Sequence, residues 1–418
     1  MQAFEKHALA MTKVTEVSKE YIPYVSYFDR FWSSLRPKTF RLTDPSTSAA
    51  VEAPRSRGGA YGFVYGEPAL RSPVLHSMHE TSPGVVSELR ALDHDYNSYD
   101  DLLREAHSTV WARKSPSSGF TPVKVESVLE PLKVRLITKG LAYPMWYARR
   151  TQKAMWSYLQ QIPAFALTGH PLSQFDLAEL ASRTDRLGLT ADFPNWVSGD
   201  YSAATDNLKM AYTKLSFETV MEKLSLPLAE QNILRHVLFE QVVQYPRRCV
   251  LGGGPREVVQ RNGQLMGSVL SFPILCSCNF VAYWKTLEEY TGRRFTANQL
   301  PVLVNGDDIL FRTNDEFYSR WLSNITELGF TLSVGKNYVH PHFVMVNSEP
   351  YWYETGSFKP LRYYNIGLLT GQAKVAGRLE TRVAPIWDYY NKVMAGAHNK
   401  WRAHCRFLQL NRQALGTL

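Results

Sequence analysis

Two short apolar runs, Val302-Leu303-Val304 and Ile309-Leu310-Phe311, flank the tetrapeptide Asn305-Gly306-Asp307-Asp308. Runs of that length and composition joined through Asn-Gly read as a β-hairpin over residues 299–311, with its tight turn at Asn305-Gly306. That reading fixes where two carboxylates stand, at the hairpin tip. Adjacent carboxylates on a tight turn repel each other unless a cation lies between them. Alone, the tetrapeptide is what any solvated turn prefers, so its weight depends on the rest of the chain.

Two further segments share its character. In Val197-Ser198-Gly199-Asp200-Tyr201-Ser202-Ala203-Ala204-Thr205-Asp206-Asn207, a short apolar strand ends in Asp200 and a small-residue turn follows. Asp206 then stands where a helix starts, and capping that helix would account for it; Asp200 has no such duty. Between this segment and the hairpin, Gly267 and Ser268 form a loop that feeds a buried helix running through Asn279. Such a loop allows a nucleotide or template backbone to approach closely.

Elsewhere, helical spacing at Leu208, Ala211, Tyr212 and Leu215, and again from Tyr318 to Leu328 with Gly329 as its stop, predicts two helices. Residues 330–334 alternate like a strand. Asp44 to Gly62 reads as a linker that separates an N-terminal arm from the remainder, and Gly252-Gly253-Gly254 as a flexible loop. His340 and His342 flank Pro341 without partners at metal-ligand spacing and read as structural. Strands and helices in irregular alternation predict an α+β fold.

Composition sets the outer bounds. With 44% hydrophobic and 13% aromatic residues in 418, the chain can bury a large core. Four cysteines are too few for a secreted disulfide scaffold of this size. The first 30 residues lack a signal-peptide core, and the longest apolar run, 269–284, is too short to span a bilayer. A soluble intracellular protein is the expectation. The net charge of +9 is uneven: residues 113–153 carry nine basic side chains against Glu126 and Glu130, and residues 359–418 carry ten against Glu380 and Asp388. An acidic centre flanked by basic segments suits a polyanion held around a cation site.

In their order and spacing, Asp200 with Asp206, the Gly267-Ser268 loop, and Asp307-Asp308 resemble motifs A, B and C of viral RNA-dependent RNA polymerases, and most closely those of the ourmia-like and narna-like lineage. The resemblance covers Pro131 to about Tyr353, roughly half the chain. It implies a right-hand fold of fingers, a palm with an antiparallel sheet, and a short helical thumb. The corresponding segments would be an N-terminal extension or fingers over 1–110, fingers with a basic strand over 111–192, palm over 193–215, a fingers insertion over 216–262, palm again over 263–353, and thumb over 354–418. The thumb has only some 65 residues after Tyr353, so either it is minimal or the chain is truncated. No helicase, capping or protease segment is evident.

The resemblance also implies roles. Asp200 and Asp307, supported by Asp308, would hold two Mg²⁺ ions, with Mn²⁺ as a substitute. Asp206, Ser271 and Asn279 would read the ribose 2′-hydroxyl. The position four residues after Ser271, an Asn in many such polymerases, is Leu275 here, and Asn279 lies one helical turn beyond it. Gly267 and Ser268 would shape the template and nucleotide loop. Lys133, Arg135 and Lys139 alternate along one face of an extended strand suited to a triphosphate. Lys336 matches the lysine that protonates pyrophosphate, and Asn347-Ser348 resembles the primer-grip turn. The C-terminal block interleaves Arg362, Trp387, Tyr390, Trp401 and Arg406 in a pattern that fits a clamp on duplex product or, equally, a small core.

The expected function is RNA-directed RNA synthesis for a positive-strand virus in the host cytoplasm, with mitochondria as the alternative site. Partners would be single-stranded template, duplex product and ribonucleoside triphosphates, with no membrane span. Two other classes compete. A reverse transcriptase would bear an aromatic gate where this chain has Ala204, Thr205 and Asp206. A non-catalytic RNA-binding scaffold would have no use for intact acids at Asp200, Asp307 and Asp308.

Overall fold

A computed structural model describes residues 2–66, 98–130, 133–168, 172–246, 256–361, 369, 372–375, 378–381 and 386–415. Its strands are β1 (Thr121–Glu130), β2 (Lys133–Lys139), β3 (Asn195–Gly199), β4 (Gln241–Gln244), β5 (Glu257–Val259), β6 (Val302–Asn305), β7 (Asp308–Thr313), β8 (Tyr338–His340), β9 (Phe343–Val346), β10 (Glu349–Glu354) and β11 (Ser357–Pro360), followed by a short pair at 372–375 and 378–381. The helices that bear on the site are α1 (Gln2–Thr12), α2 (Tyr21–Trp32), α3 (Ala142–Leu159), α4 (Ala204–Asn207), α5 (Met210–Lys223), α6 (Ser271–Thr291) and α7 (Asp315–Leu328). Helices and largely antiparallel sheets mix irregularly along the chain, and the α+β class is as expected.

The central sheet has the order β6-β7-β3-β8, with every neighbour antiparallel. The expected hairpin is its β6–β7 half, but the turn sits one residue later than the Asn-Gly pair implied. Asn305 pairs with Asp308, which leaves Gly306 and Asp307 as the two-residue loop. Only Gly306, at φ +68°, has the positive φ that such a loop demands at its first position. Both faces of this sheet are covered. Val197, Val302, Val304, Ile309 and Phe311 face the main core, whereas Trp196, Leu303 and Leu310 join a second core with Val344, Val346 and Phe358. Double coverage is why the strands read as unbroken apolar runs instead of alternating.

Helix α6 is buried on nearly every side, as its composition demands, and packs against α2, α5 and α7. The N-terminal arm is not separate. Tyr24, Phe28, Phe31 and Trp32 of α2 are fully buried in the main core. The expected linker is folded onto its neighbours too: Val51 N–H donates to Gly140 O at 2.9 Å, and Gly59–Tyr65 is a helix. A Cβ on Gly59 would meet Ser48 O at 2.0 Å, so that glycine is a packing requirement as well as a turn.

A second sheet, β2-β1-β4-β5, carries the basic strand. Residues 330–334 do not form the expected strand; Leu332 makes a single bridge to Tyr201, and the chain then turns. The helix before them, α7, ends as expected at Gly329 with φ +101°. Near the C-terminus, α8 (Ile386–Gly396) and α9 (Lys400–Leu410) bury Ile386, Val393, Ala403 and Phe407 against each other and leave Trp387 and Trp401 exposed. The core reading of that block therefore holds for part of it. Gly252–Gly254 and Arg362 lie outside the described residues. No helix among the described residues is long and apolar enough to cross a membrane.

Candidate active site

The β3–β7 register assembles the acidic residues. Gly199 pairs with Ile309, so one further step of the same ladder sets Asp200 opposite Asp308, with Asp307 in the adjoining turn. Their proximity shows in the electrostatics. Burial, then the charges of Asp307 and Asp200, push the Asp308 carboxyl up to about 7, against a backbone hydrogen bond from Asn347 and the pull of Lys336. The positive-φ pair Asn347 (+52°) and Ser348 (+61°) forms the β9–β10 turn, which therefore leans directly on Asp308.

Lys336 joins the acids. Its Nζ donates to Asp200 Oδ2 at 2.8 Å, and this bond raises the lysine pKa further. The loop that carries it is fastened to the strand end. Asp200 N–H donates to Asn337 Oδ1 at 2.8 Å, Asn337 Nδ2 donates back to Asp200 O at 3.1 Å, and Ser333 N–H donates to the same carbonyl at 2.8 Å. Asn337 was not singled out from the sequence, where nothing distinguishes it from other loop asparagines.

A cleft of about 790 Å³ opens over this cluster, lined by Asp307, Lys336, Asp206, Ser271, Gly267 and Arg135 among others. Asp206 does not cap a helix. The N-cap of α4 is Ala203, in the left-handed region at φ +48°, and Asp206 lies within the short helix facing the cleft. Burial pushes its carboxyl up to about 6, opposed by the Thr205 hydroxyl and Lys6. Ser271 opens α6 and donates to Gln264 Oε1 at 2.8 Å. Gly267 has φ +145°, and a Cβ there would lie 2.1 Å from Thr138 O. Thr138 N–H donates to Met266 O at 2.8 Å, so the Gly267-Ser268 loop is docked on β2.

Two expected site residues sit elsewhere. Asn279 is fully buried and its amide is consumed inside the protein, donating to Gly306 O and accepting from Tyr201 OH, so it does not line the cleft. Lys139 ion-pairs with Glu126 at 2.6 Å and faces a separate cavity of about 330 Å³. The β1–β2 register explains this, since Glu126 opposes Ile137 and stands diagonal to Lys139. Lys133 pairs through its backbone with Glu130, and its side chain is outside the described residues. Of the three basic residues on β2, Arg135 is the one seen to reach the cleft.

Sequence reasoning also missed α1. His7 is buried between Tyr245 OH, 2.7 Å from Nδ1, and Asp206 Oδ1, 4.0 Å from Nε2, so the N-terminal helix walls the cleft beside Asp206.

Among the described residues, no three acidic, histidine or cysteine side chains are gathered into a ready-made metal cage. The donor set nonetheless fits a hard divalent cation. Asp200, Asp307 and Asp308 offer only carboxylate oxygens, and a bound cation would relieve the mutual repulsion that adds to burial in raising Asp308. Mg²⁺ ordinarily takes one or two carboxylates and completes its shell with water and phosphate.

No family model matches the chain. Among solved structures, the insertion loop deletion mutant of the RNA-dependent RNA polymerase of a human picorbirnavirus aligns with a TM-score of 0.49 and 12% identity, covering 71% of this chain and 59% of that one. The RNA-dependent RNA polymerase of Ourmia melon virus (isolate Melon/Iran/VE9) is 36% identical over 318 residues, which is 73% of this chain. The chain spans about a third of that relative, 35% of its length. Over those 318 residues the chain is similar to the Ourmia melon virus polymerase.

Proposed function

We propose that the chain is an RNA-directed RNA polymerase of right-hand form that replicates a positive-strand viral genome in the host cytoplasm. The observation that carries the reading is the convergence of Asp200, Asp307 and Asp308 with Lys336 beneath a cleft that Arg135 overlooks. Acids below and a guanidinium above suit a triphosphate, whose transfer depends on positioning and charge neutralisation more than on covalent chemistry.

Asp200, Asp307 and Asp308 would hold two Mg²⁺ ions, or Mn²⁺ in their place, which when bound neutralise charge on the attacking 3′-hydroxyl and the pyrophosphate leaving group. Arg135 orients the triphosphate from the strand opposite. Asp206 and Ser271, at the cleft wall, offer acceptor oxygens to the ribose 2′-hydroxyl, the Ser271 proton being committed to Gln264, which favours ribonucleotides. Lys336 keeps its proton at neutral pH, because Asp200 stabilises the ammonium, and gives it to the departing pyrophosphate oxygen. Single-stranded template and duplex product occupy the cleft beside the Gly267-Ser268 loop. The test is incorporation of labelled ribonucleotides on a single-stranded RNA template with Mg²⁺, beside Asp307→Ala. Incorporation by the wild type and none by the variant is expected; equal incorporation by both would sink the assignment.

A further inference from the structure

Asp200 and Asp307 reach the site from different loops, and the β3–β7 ladder stops short of both. Beyond the last ladder pair, α6 adds a second support. Asn279, fully buried, donates from Nδ2 to Gly306 O at 3.0 Å and accepts at Oδ1 from Tyr201 OH at 2.8 Å. Gly306 O can only accept, so the orientation of the amide is settled by chemistry. Tyr201 follows Asp200 directly, and Gly306 directly precedes Asp307. One turn earlier on α6, Cys276 Sγ accepts from Gly306 N–H at 3.3 Å, so both backbone groups of that glycine are held by the same helix. At the other end, the Tyr201 ring stacks on Phe330 with centroids 4.6 Å apart and planes at 11°. The Asn279 amide oxygen can only accept, so the Tyr201 hydroxyl is the donor in the bond between them.

We infer that Asn279 is a positioning residue: through Tyr201 on one side and Gly306 on the other, it sets the distance between the carboxylates that bind the divalent cation, and it makes no contact with the ribose. The inference rests on the polymerase reading only for the use to which that cation is put. Residues that orient metal ligands typically change metal affinity by about 10- to 100-fold when removed.

The experiment titrates Mn²⁺ into the purified full chain, reading free Mn²⁺ by electron paramagnetic resonance, for the wild type, Asn279→Ala, Tyr201→Phe and Asp307→Ala. Tyr201→Phe keeps the ring and removes only the hydroxyl, so it breaks the bridge even if Asn279→Ala folds poorly. Both bridge variants are expected to bind Mn²⁺ at least about tenfold more weakly, with the preference for ribo- over deoxyribonucleotides unchanged. Affinities within about twofold of wild type, or a sugar preference lost in Asn279→Ala, would overturn the inference. Because the titration needs no turnover, a wild type that binds Mn²⁺ through Asp307 yet incorporates no nucleotide would refute the polymerase reading and leave the positioning role standing.

Discussion

Glu288 offers a quantitative test of how the N-terminal helix is joined to the core. Its side chain, 5% exposed, accepts from both Arg30 guanidinium nitrogens at 2.7 and 2.9 Å, from Tyr27 OH at 2.9 Å, from Trp284 Nε1 at 3.0 Å, from Phe295 N–H at 2.9 Å and from Arg294 at 3.0 Å. Burial alone would raise this carboxyl, but the hydrogen bonds from Arg30, Phe295, Tyr27 and Trp284 outweigh it and hold the pKa at about 2, against an ordinary 4.5. That difference corresponds to about 3 kcal/mol, and on the order of 2 kcal/mol once screening through the exposed Arg294 is allowed for. A depressed carboxyl stabilises the fold above its unfolded pKa and loses that contribution as pH falls toward its folded one. Glu288→Gln keeps the volume but turns an amide NH₂ toward guanidinium, indole or backbone N–H groups that can only donate. Urea denaturation should therefore show the variant less stable by roughly 2–4 kcal/mol at pH 7. The gap should hold down to about pH 5.5 and narrow below about 4.5. A gap under about 0.5 kcal/mol, or one that does not narrow in acid, would refute this account of the junction.

Gly267→Ala should disable the cleft without unfolding the chain. Its Cβ would overlap Thr138 O at a φ of +145°, so the loop must leave β2, and incorporation should fall more than about tenfold with little change in thermal midpoint. Full activity would show that the loop does not need this docking. Metal affinity should rise with pH. Asp308, held near 7, must lose its proton to bind a cation, so Mn²⁺ binding should weaken by up to about tenfold per unit below pH 7 and level off above it. The same raised carboxyl makes the metal-free fold less stable as pH climbs from about 4 to 7, since the folded state binds more protons there; Asp308→Asn should remove both trends. Phe31→Ala, which empties a fully buried site on α2, should cost about 3–5 kcal/mol in the same urea assay.

The acidic cluster was legible because strand, turn and carboxylate occupy adjacent positions in the sequence, so local pattern alone carries Asp200, Asp307 and Asp308 to strand ends. The buried helix after Gly267 was legible for the same reason. What the pattern could not give was partnership across long separations. Asn305-Gly306 resembles a turn of its own, and only pairing of Asn305 with Asp308 moves the loop to Gly306-Asp307. Lys133, Arg135 and Lys139 share a strand face, yet Glu126 on the neighbouring strand takes Lys139. The aromatic residues of α2 looked like an arm because nothing nearby in sequence could bury them; their partners lie on α5 and α6, far along the chain. Asn279 carries the same lesson, since burial and two saturated hydrogen bonds cannot be read from helical spacing.

Template-directed synthesis can be read by single-nucleotide extension on four RNA templates that differ in one base, run with each ribonucleotide and deoxyribonucleotide and with Asp307→Ala as control. The base added should follow the template, ribonucleotides should be strongly favoured, and the variant should add nothing. Addition that ignores the template base, or that persists in Asp307→Ala, would contradict the polymerase reading.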